Sequence, residues 1–179
     1  MTRLVTERLL LRPVTPADAE DLYSLERDPE VMRYLNGGKA TPRHPPVDHG
    51  QLFRMPRGTE DDVWAALGSA DDHFIGWFAL GPTVDGVARL GYRLHRRAWG
   101  RGLGLEGAAA LVEHGFRTLK LVAIHADTMT VNWSSRRIME KLGMRHLRTY
   151  QEPYDEPIPG CEEGEVEYGI AAADWLAQR

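Results

Sequence analysis

Cysteine is nearly absent from this 179-residue sequence. Cys161 stands alone, which excludes a disulfide within the chain. Such usage fits a reducing compartment, so the expected location is the cytoplasm. Long apolar runs are missing too, since the opening MTRLVTERLLLR breaks its three leucines with charges. The expectation is no signal peptide and no membrane partner. Positive charge is not in excess: the formal net charge is −4, and the basic residues are scattered or in short clusters. A nucleic-acid partner is therefore not expected. Metal-ligand spacing is also wanting, for the seven histidines follow no zinc pattern and one cysteine adds little. No metal is expected.

What is present is length enough for one domain, 1–179, able to bury most of its apolar surface without staples. Leu9-Leu10-Leu11 reads as a first strand ended by Pro13. Thr15-Pro16-Ala17-Asp18 combines a cap, a proline at the first helical position and an acid three residues on. A helix follows, with Ala19, Leu22 and Leu25 on one face. Asp28-Pro29-Glu30-Val31 repeats the pattern for a short helix through Leu35. Residues 36–47 read as loop, and 48–51 open a short helix ending near Pro56. The runs 63–67, 74–80 and 87–94 are broken at 68–72 and 81–86, which predicts an antiparallel meander. Leu105, Ala108, Ala109, Val112 and Phe116 have helical spacing, predicting a long helix to 114–116. Residues 121–126 read as a buried strand. Asn132 can cap a helix with Ile138, Met139 and Leu142 inward and Gly143 as its left-handed stop. Two strands, 145–150 and 166–170, close a mixed α/β fold.

The stretch Trp99-Gly100-Arg101-Gly102-Leu103-Gly104-Leu105-Glu106-Gly107 opens the long helix directly after a strand. Glycines there leave backbone N–H groups bare at the positive end of a helix dipole, a site suited to pyrophosphate. Gly102, Gly104 and Gly107 also spell the dinucleotide-binding fingerprint, with Asp127 where a ribose-binding acid would sit. A dinucleotide-dependent oxidoreductase is one alternative. Against it, His95-Arg96-Arg97-Ala98-Trp99 separates the strand from the first glycine, and too little chain follows Asp127.

Thr6-Glu7-Arg8-Leu9-Leu10-Leu11-Arg12-Pro13, then Asp28-Pro29-Glu30-Val31-Met32, resembles the opening of the RimJ/RimL-like branch of the GNAT acetyltransferases. The glycine stretch is similar to that superfamily's pyrophosphate loop. Asn132-Trp133-Ser134-Ser135 through Glu140-Lys141-Leu142-Gly143-Met144 is similar to its second cofactor helix. The resemblance implies a mostly antiparallel sheet with two strands splayed for the cofactor, and N-acetyl transfer from acetyl-CoA to an amine. It implies that Gly100, Arg101, Gly102, Leu103, Gly104 and Leu105 cradle the pyrophosphate. The N–H of Leu94 or His95 would meet the thioester carbonyl. Asn132 would bond the pantetheine arm, cap its helix, or do both.

Three departures accompany the resemblance. Met139 stands where many members carry a tyrosine acid, so Ser135, one turn into the same helix, becomes the candidate proton donor. Arg89 replaces a glutamate two residues before Gly91, and Trp99 replaces the glutamine or arginine opening the loop. These departures keep a second alternative open, a non-catalytic acyl-CoA sensor. From 151 to 167 the chain carries seven acids and no Lys or Arg, read as a loop that attracts a cationic amine such as a peptide N-terminus. Glu152 is the candidate base, with Asp127, Asp155 and His125 as rivals. Whether the chain works as a monomer or a homodimer stays open.

Overall fold

The computed structural model describes residues 2–40, 56–154 and 156–178. The short helix expected at 48–51 and the rival base Asp155 lie outside them. The strands are β1 (Leu4–Val5), β2 (Leu9–Pro13), β3 (Val63–Gly68), β4 (Phe74–Val84), β5 (Val87–Leu94), β6 (Ala123–Met129), β7 (Arg145–Tyr150) and β8 (Glu165–Ala171). The helices are α1 (Ala19–Glu26), α2 (Arg33–Asn36), α3 (Leu103–Arg117), α4 (Trp133–Lys141) and α5 (Ala172–Ala177). One eight-stranded sheet runs in the order β1-β2-β3-β4-β5-β6-β8-β7. The β5–β6 pair is parallel and the other neighbours are antiparallel.

The parallel pair is short. Val87, Ala88 and Arg89 pair with Ala123, Ile124 and His125, and there the pairing ends. Beyond it β5 continues to Leu94 and β6 to Met129, so the two strands part in the middle of the sheet. β8 pairs with β6 along its whole length and holds it in the strand conformation. That is why β6 runs on through polar Asp127-Thr128 instead of stopping at residue 126. β4 likewise outlasts its expected end, because a register shift between Leu80 and Thr83 accommodates Pro82, which has no N–H to give the ladder.

Both faces of the sheet are covered. On one, α3 packs Ala108, Leu111 and Val112 against Phe78, Leu80 and Ile124. On the other, Leu22 and Leu25 of α1 meet Val63, Ala65, Trp77 and Ala79. The buried stripe of α3 starts at Leu103 and includes Gly107, while Leu105 and Ala109, expected inside, are half-buried at its edge. A β-carbon on Gly107 would sit 2.3 Å from the Phe78 ring, so this glycine sets the helix–sheet distance. α1 begins after a 3-10 turn over Pro16–Asp18, where Asp18 accepts from Thr15 N (2.7 Å) and Thr15 Oγ1 (2.9 Å). α2 is shorter than expected, because Asp28 Oδ1 accepts the Glu30 N–H and holds the preceding segment in turns. β1 and α5 have no clear periodicity in the sequence and emerge only as edge pairing and C-terminal docking.

Candidate active site

The glycine-rich loop lies where β5 leaves the sheet. A 3-10 turn over Arg96–Ala98 follows β5, and Trp99 Nε1 then donates to the Leu94 carbonyl at 2.8 Å. Trp99 thus ties the loop back onto its strand. Gly100 and Gly102 are both left-handed, with φ of 68° and 79°, and Gly102 is the N-cap of α3. Glu106 N is bonded to Gly102 O, so the N–H groups ahead of it have no partner within the helix, and no side chain caps them. The open space above Gly100 leaves room for a ligand. An anionic pyrophosphate fits this N-terminus.

The same loop is braced from the N-terminal hairpin. Glu106 accepts from Thr6 Oγ1 (2.6 Å), Arg8 N (2.8 Å) and Arg8 Nε (2.7 Å), and Arg8 Nη1 donates to the Arg101 carbonyl at 2.7 Å. Burial acts to raise the Glu106 pKa, but these bonds outweigh it and hold the carboxyl below its ordinary value. The Thr6–Pro13 block carries no local signal of this role, because its partner Glu106 is distant in the chain.

Gly104 faces the parting strands: a β-carbon there would lie 3.2 Å from Leu94 Cδ1 and 3.0 Å from Ile138 Cδ1. The loop, the end of β5 and α4 therefore converge. His95 N donates to Ile75 O at 2.9 Å, which corrects its candidacy as an oxyanion donor. By the alternation of an antiparallel ladder, the N–H groups of Tyr92 and Leu94 then point away from β4, toward the gap. Of the two expected donors, Leu94 N–H is the one so placed.

Across the gap stands the first turn of α4. Asn132 caps it through Oδ1, accepting from Ser135 N at 3.3 Å, and its Nδ2 donates to Thr128 Oγ1 at 3.0 Å. Met139 is buried in the core and supplies no polar group. Ser135 Oγ lies 2.9 Å from the hydroxyl of Tyr92 on β5, a residue that sequence reasoning passed over. Burial pushes the Tyr92 phenol up to about 12, against the smaller opposite effect of its bond to Ser135.

On the other sheet face, Arg89 is hydrogen-bonded to Asp127, so this cation neutralises a neighbouring strand's acid. His125 Nδ1 is 3.0 Å from Glu167 Oε1, and Arg148 Nε donates to Glu167 Oε2 at 2.6 Å. Two rival bases, Asp127 and His125, are thereby tied to partners. Glu152 has no hydrogen bond or ion pair among the described residues. Glu165 and Glu167, acids of the 151–167 run, are not on the loop but buried on β8. Burial raises the Glu165 pKa despite the hydrogen bond it accepts from Tyr154, with the charges of Asp127 and Glu152 adding to the rise. The loop is anchored by buried Ile158, which lies against Gly37, and by the Lys39–Glu156 ion pair.

The dinucleotide alternative fails on this geometry. One parallel strand pair is not a doubly wound half, Gly107 serves packing against Phe78, and Asp127 is bound to Arg89.

The model of the acetyltransferase (GNAT) domain family matches residues 8–145. The chain is 33% identical to FsC-acetyl coenzyme A-N(2)-transacetylase of Aspergillus fumigatus, covering 97% of this chain and 77% of that protein. It is 30% identical to a Bacillus licheniformis protein described as uncharacterized N-acetyltransferase p20, over 84% of this chain and 88% of that one. A GNAT-family acetyltransferase structure from Bacillus anthracis superposes with a TM-score of 0.77 at 22% identity, covering 96% of this chain and 99% of that chain. With its splayed β5–β6 pair and glycine-capped α3, the chain belongs to the GNAT acetyltransferase family.

Proposed function

We propose that this acetyltransferase moves an acetyl group from acetyl-CoA to a primary amine, by direct attack while both substrates are bound. The observation that carries the reading is the parting of β5 and β6 beside the start of α3, where the Gly102 cap brings no side chain to the bare N–H groups. It offers unpaired strand edge to an amide-bearing arm and bare N–H groups to a pyrophosphate. The name of the Aspergillus relative, which specifies an N(2) acceptor, supports nitrogen as the acceptor atom. The Thr6–Pro13 block and Ser135 support placement in the RimJ/RimL-like branch.

When bound, acetyl-CoA supplies the activated acetyl group as a thioester. The backbone from Gly100 to Leu105 holds the pyrophosphate, with Arg101 adding charge. Leu94 N–H meets the acyl oxygen. Asn132 keeps α4 in place through its cap and reaches the pantetheine arm. Ser135 Oγ gives a proton to sulfur. Glu152 receives the proton that the amine must lose, directly or through water. The exposed acids Glu162 and Glu163 gather a cationic acceptor.

The test is release of free thiol from acetyl-CoA over a panel of peptides, polyamines and aminoglycosides. Acetylation of a cationic amine is expected. CoA binding with no transfer to any amine would instead identify the sensor.

A further inference from the structure

We infer that Tyr92 is a positioning residue for Ser135, aiming the serine proton at the departing sulfur; this rests on the reading of Ser135 as proton donor. Tyr92 lies on β5 and Ser135 opens α4, the two elements that stand across the gap from each other. The phenolic oxygen is 2.9 Å from Ser135 Oγ and 3.3 Å from the Ser135 carbonyl oxygen. Its O–H therefore has two acceptors on one residue. When it donates to the carbonyl, the phenolic oxygen is free to accept the serine proton, which is then held between the two hydroxyls. When it donates to Oγ, the serine proton is released toward another acceptor. Rotation of the phenolic O–H alone converts one arrangement to the other.

Two features fit Tyr92 for this work. Its ring packs beside Phe78, with ring centroids 6.1 Å apart, and its hydroxyl bonds Ser135 at the far end. Burial also keeps the phenol protonated, so it remains a hydrogen-bond donor throughout the neutral range. In the transfer, the C–N bond forms as the C–S bond breaks, and the electron pair stays on sulfur. Ser135 Oγ passes its proton to that sulfur. The proton shed by the amine goes to a carboxylate or water, and solvent returns one to Oγ. Tyr92 keeps its own proton and donates a charge-assisted hydrogen bond to Oγ while that oxygen is negative.

Tyr92→Phe removes the hydroxyl and retains the ring. We expect kcat to fall about tenfold while the dissociation constant for CoA stays within about twofold. Adding Tyr92→Phe to Ser135→Ala should slow the enzyme no further than Ser135→Ala alone. A second readout needs no turnover. In the binary complex with CoA, the thiolate's ultraviolet absorbance gives the apparent pKa of the bound thiol, which should rise by about one unit in Tyr92→Phe. Ser135→Ala should raise it at least as much. Unchanged kcat and thiol pKa in Tyr92→Phe would overturn the inference, as would a loss of CoA affinity that accounts for the loss of turnover. If Tyr92→Phe does not fold, an unchanged thiol pKa in Ser135→Ala overturns it instead. Wild-type protein that binds CoA but acetylates no amine would refute the transferase reading separately, with the thiol pKa still deciding Tyr92.

Discussion

Arg8 and Glu106, 98 residues apart in sequence, are joined at 2.7 Å through Nε and again through the Arg8 backbone N–H at 2.8 Å. The first hairpin is thereby locked to the first turn of the helix that receives the pyrophosphate. Arg8 also holds the carbonyl of Arg101 inside the loop itself. Loop geometry therefore depends on a strand turn outside it.

Glu106→Ala should accordingly raise the CoA dissociation constant about tenfold and lower the melting temperature by several degrees, since a carboxylate bonded to a cation is worth roughly 1.5–3 kcal/mol. Calorimetry and thermal melts check both. The Glu106 pKa is depressed in the folded protein, so its stabilisation is fully present above the unfolded glutamate value. It is lost as pH falls through the lower folded value. The variant should therefore show a shallower acid-side decline in stability than the wild type.

How much of this was legible in the sequence follows from how local each cause is. The glycine loop could be read because positive φ and a bare helix start are properties of consecutive residues. The helix start at Thr15-Pro16 and the stop at Gly143 were legible for the same reason, and Gly143 does adopt φ of 82°. Tyr92 was missed because its partner lies 43 residues away, and periodicity reports only which face a residue takes. The His95 assignment failed on one residue of register: odd and even N–H groups of β5 face opposite strands, and sequence alone does not set that phase. Glu165 and Glu167 were read as part of an acidic loop because charge suggests solvent. Arg148, His125 and Tyr154 supply the partners that let both acids be buried in a strand.

The glycines should separate by substitution. Gly102→Ala forces a side chain into a left-handed conformation at the N-cap and should weaken CoA binding with a modest loss of stability, about 1 kcal/mol. Gly107→Ala pushes a methyl into the Phe78 ring and should cost about 1–3 kcal/mol of stability. Its folded fraction should bind CoA as the wild type does. Gly104→Val, by contrast, should harm both properties, because Ile138 and Leu94 crowd that position. Denaturant titrations beside calorimetry distinguish the three.

Glu165 offers an opposite pH signature. Its folded pKa is raised, so its contribution is fully present below the unfolded value and is lost as pH rises through the folded one. Glu165→Gln should therefore be more stable than the wild type at neutral pH, with the advantage vanishing in acid. Melting curves at several pH values measure it. A variant less stable at neutral pH would show that the ionised carboxylate is held favourably by Tyr154.

Reversing Glu162 and Glu163 to Lys should act mainly on the acceptor. Both are exposed on a loop anchored at Ile158, and Glu162 Oε2 accepts from Gly160 N at 3.0 Å, so CoA affinity should not change and the loss of stability should stay at about 1 kcal/mol. KM for a cationic amine should rise several-fold at low salt, with the difference shrinking as ionic strength increases. Identical KM values at low salt would remove the acidic loop from acceptor recognition.

Glu152→Gln tests the proton acceptor. Turnover of a cationic amine should fall about 100-fold in the variant, while acetyl-CoA binding stays as in the wild type. Unchanged turnover would assign the proton to water or another carboxylate.

The central claim is that the parted strands and the α3 start hold acetyl-CoA for transfer to an amine. It is tested most directly by mixing the protein with acetyl-CoA and a panel of cationic, neutral and anionic amines, measuring free thiol and acetylated product together. The account predicts stoichiometric thiol and N-acetyl product with a cationic amine, and loss of both in Gly102→Val. Thiol release without acetylated amine, or equal turnover in Gly102→Val, would contradict it.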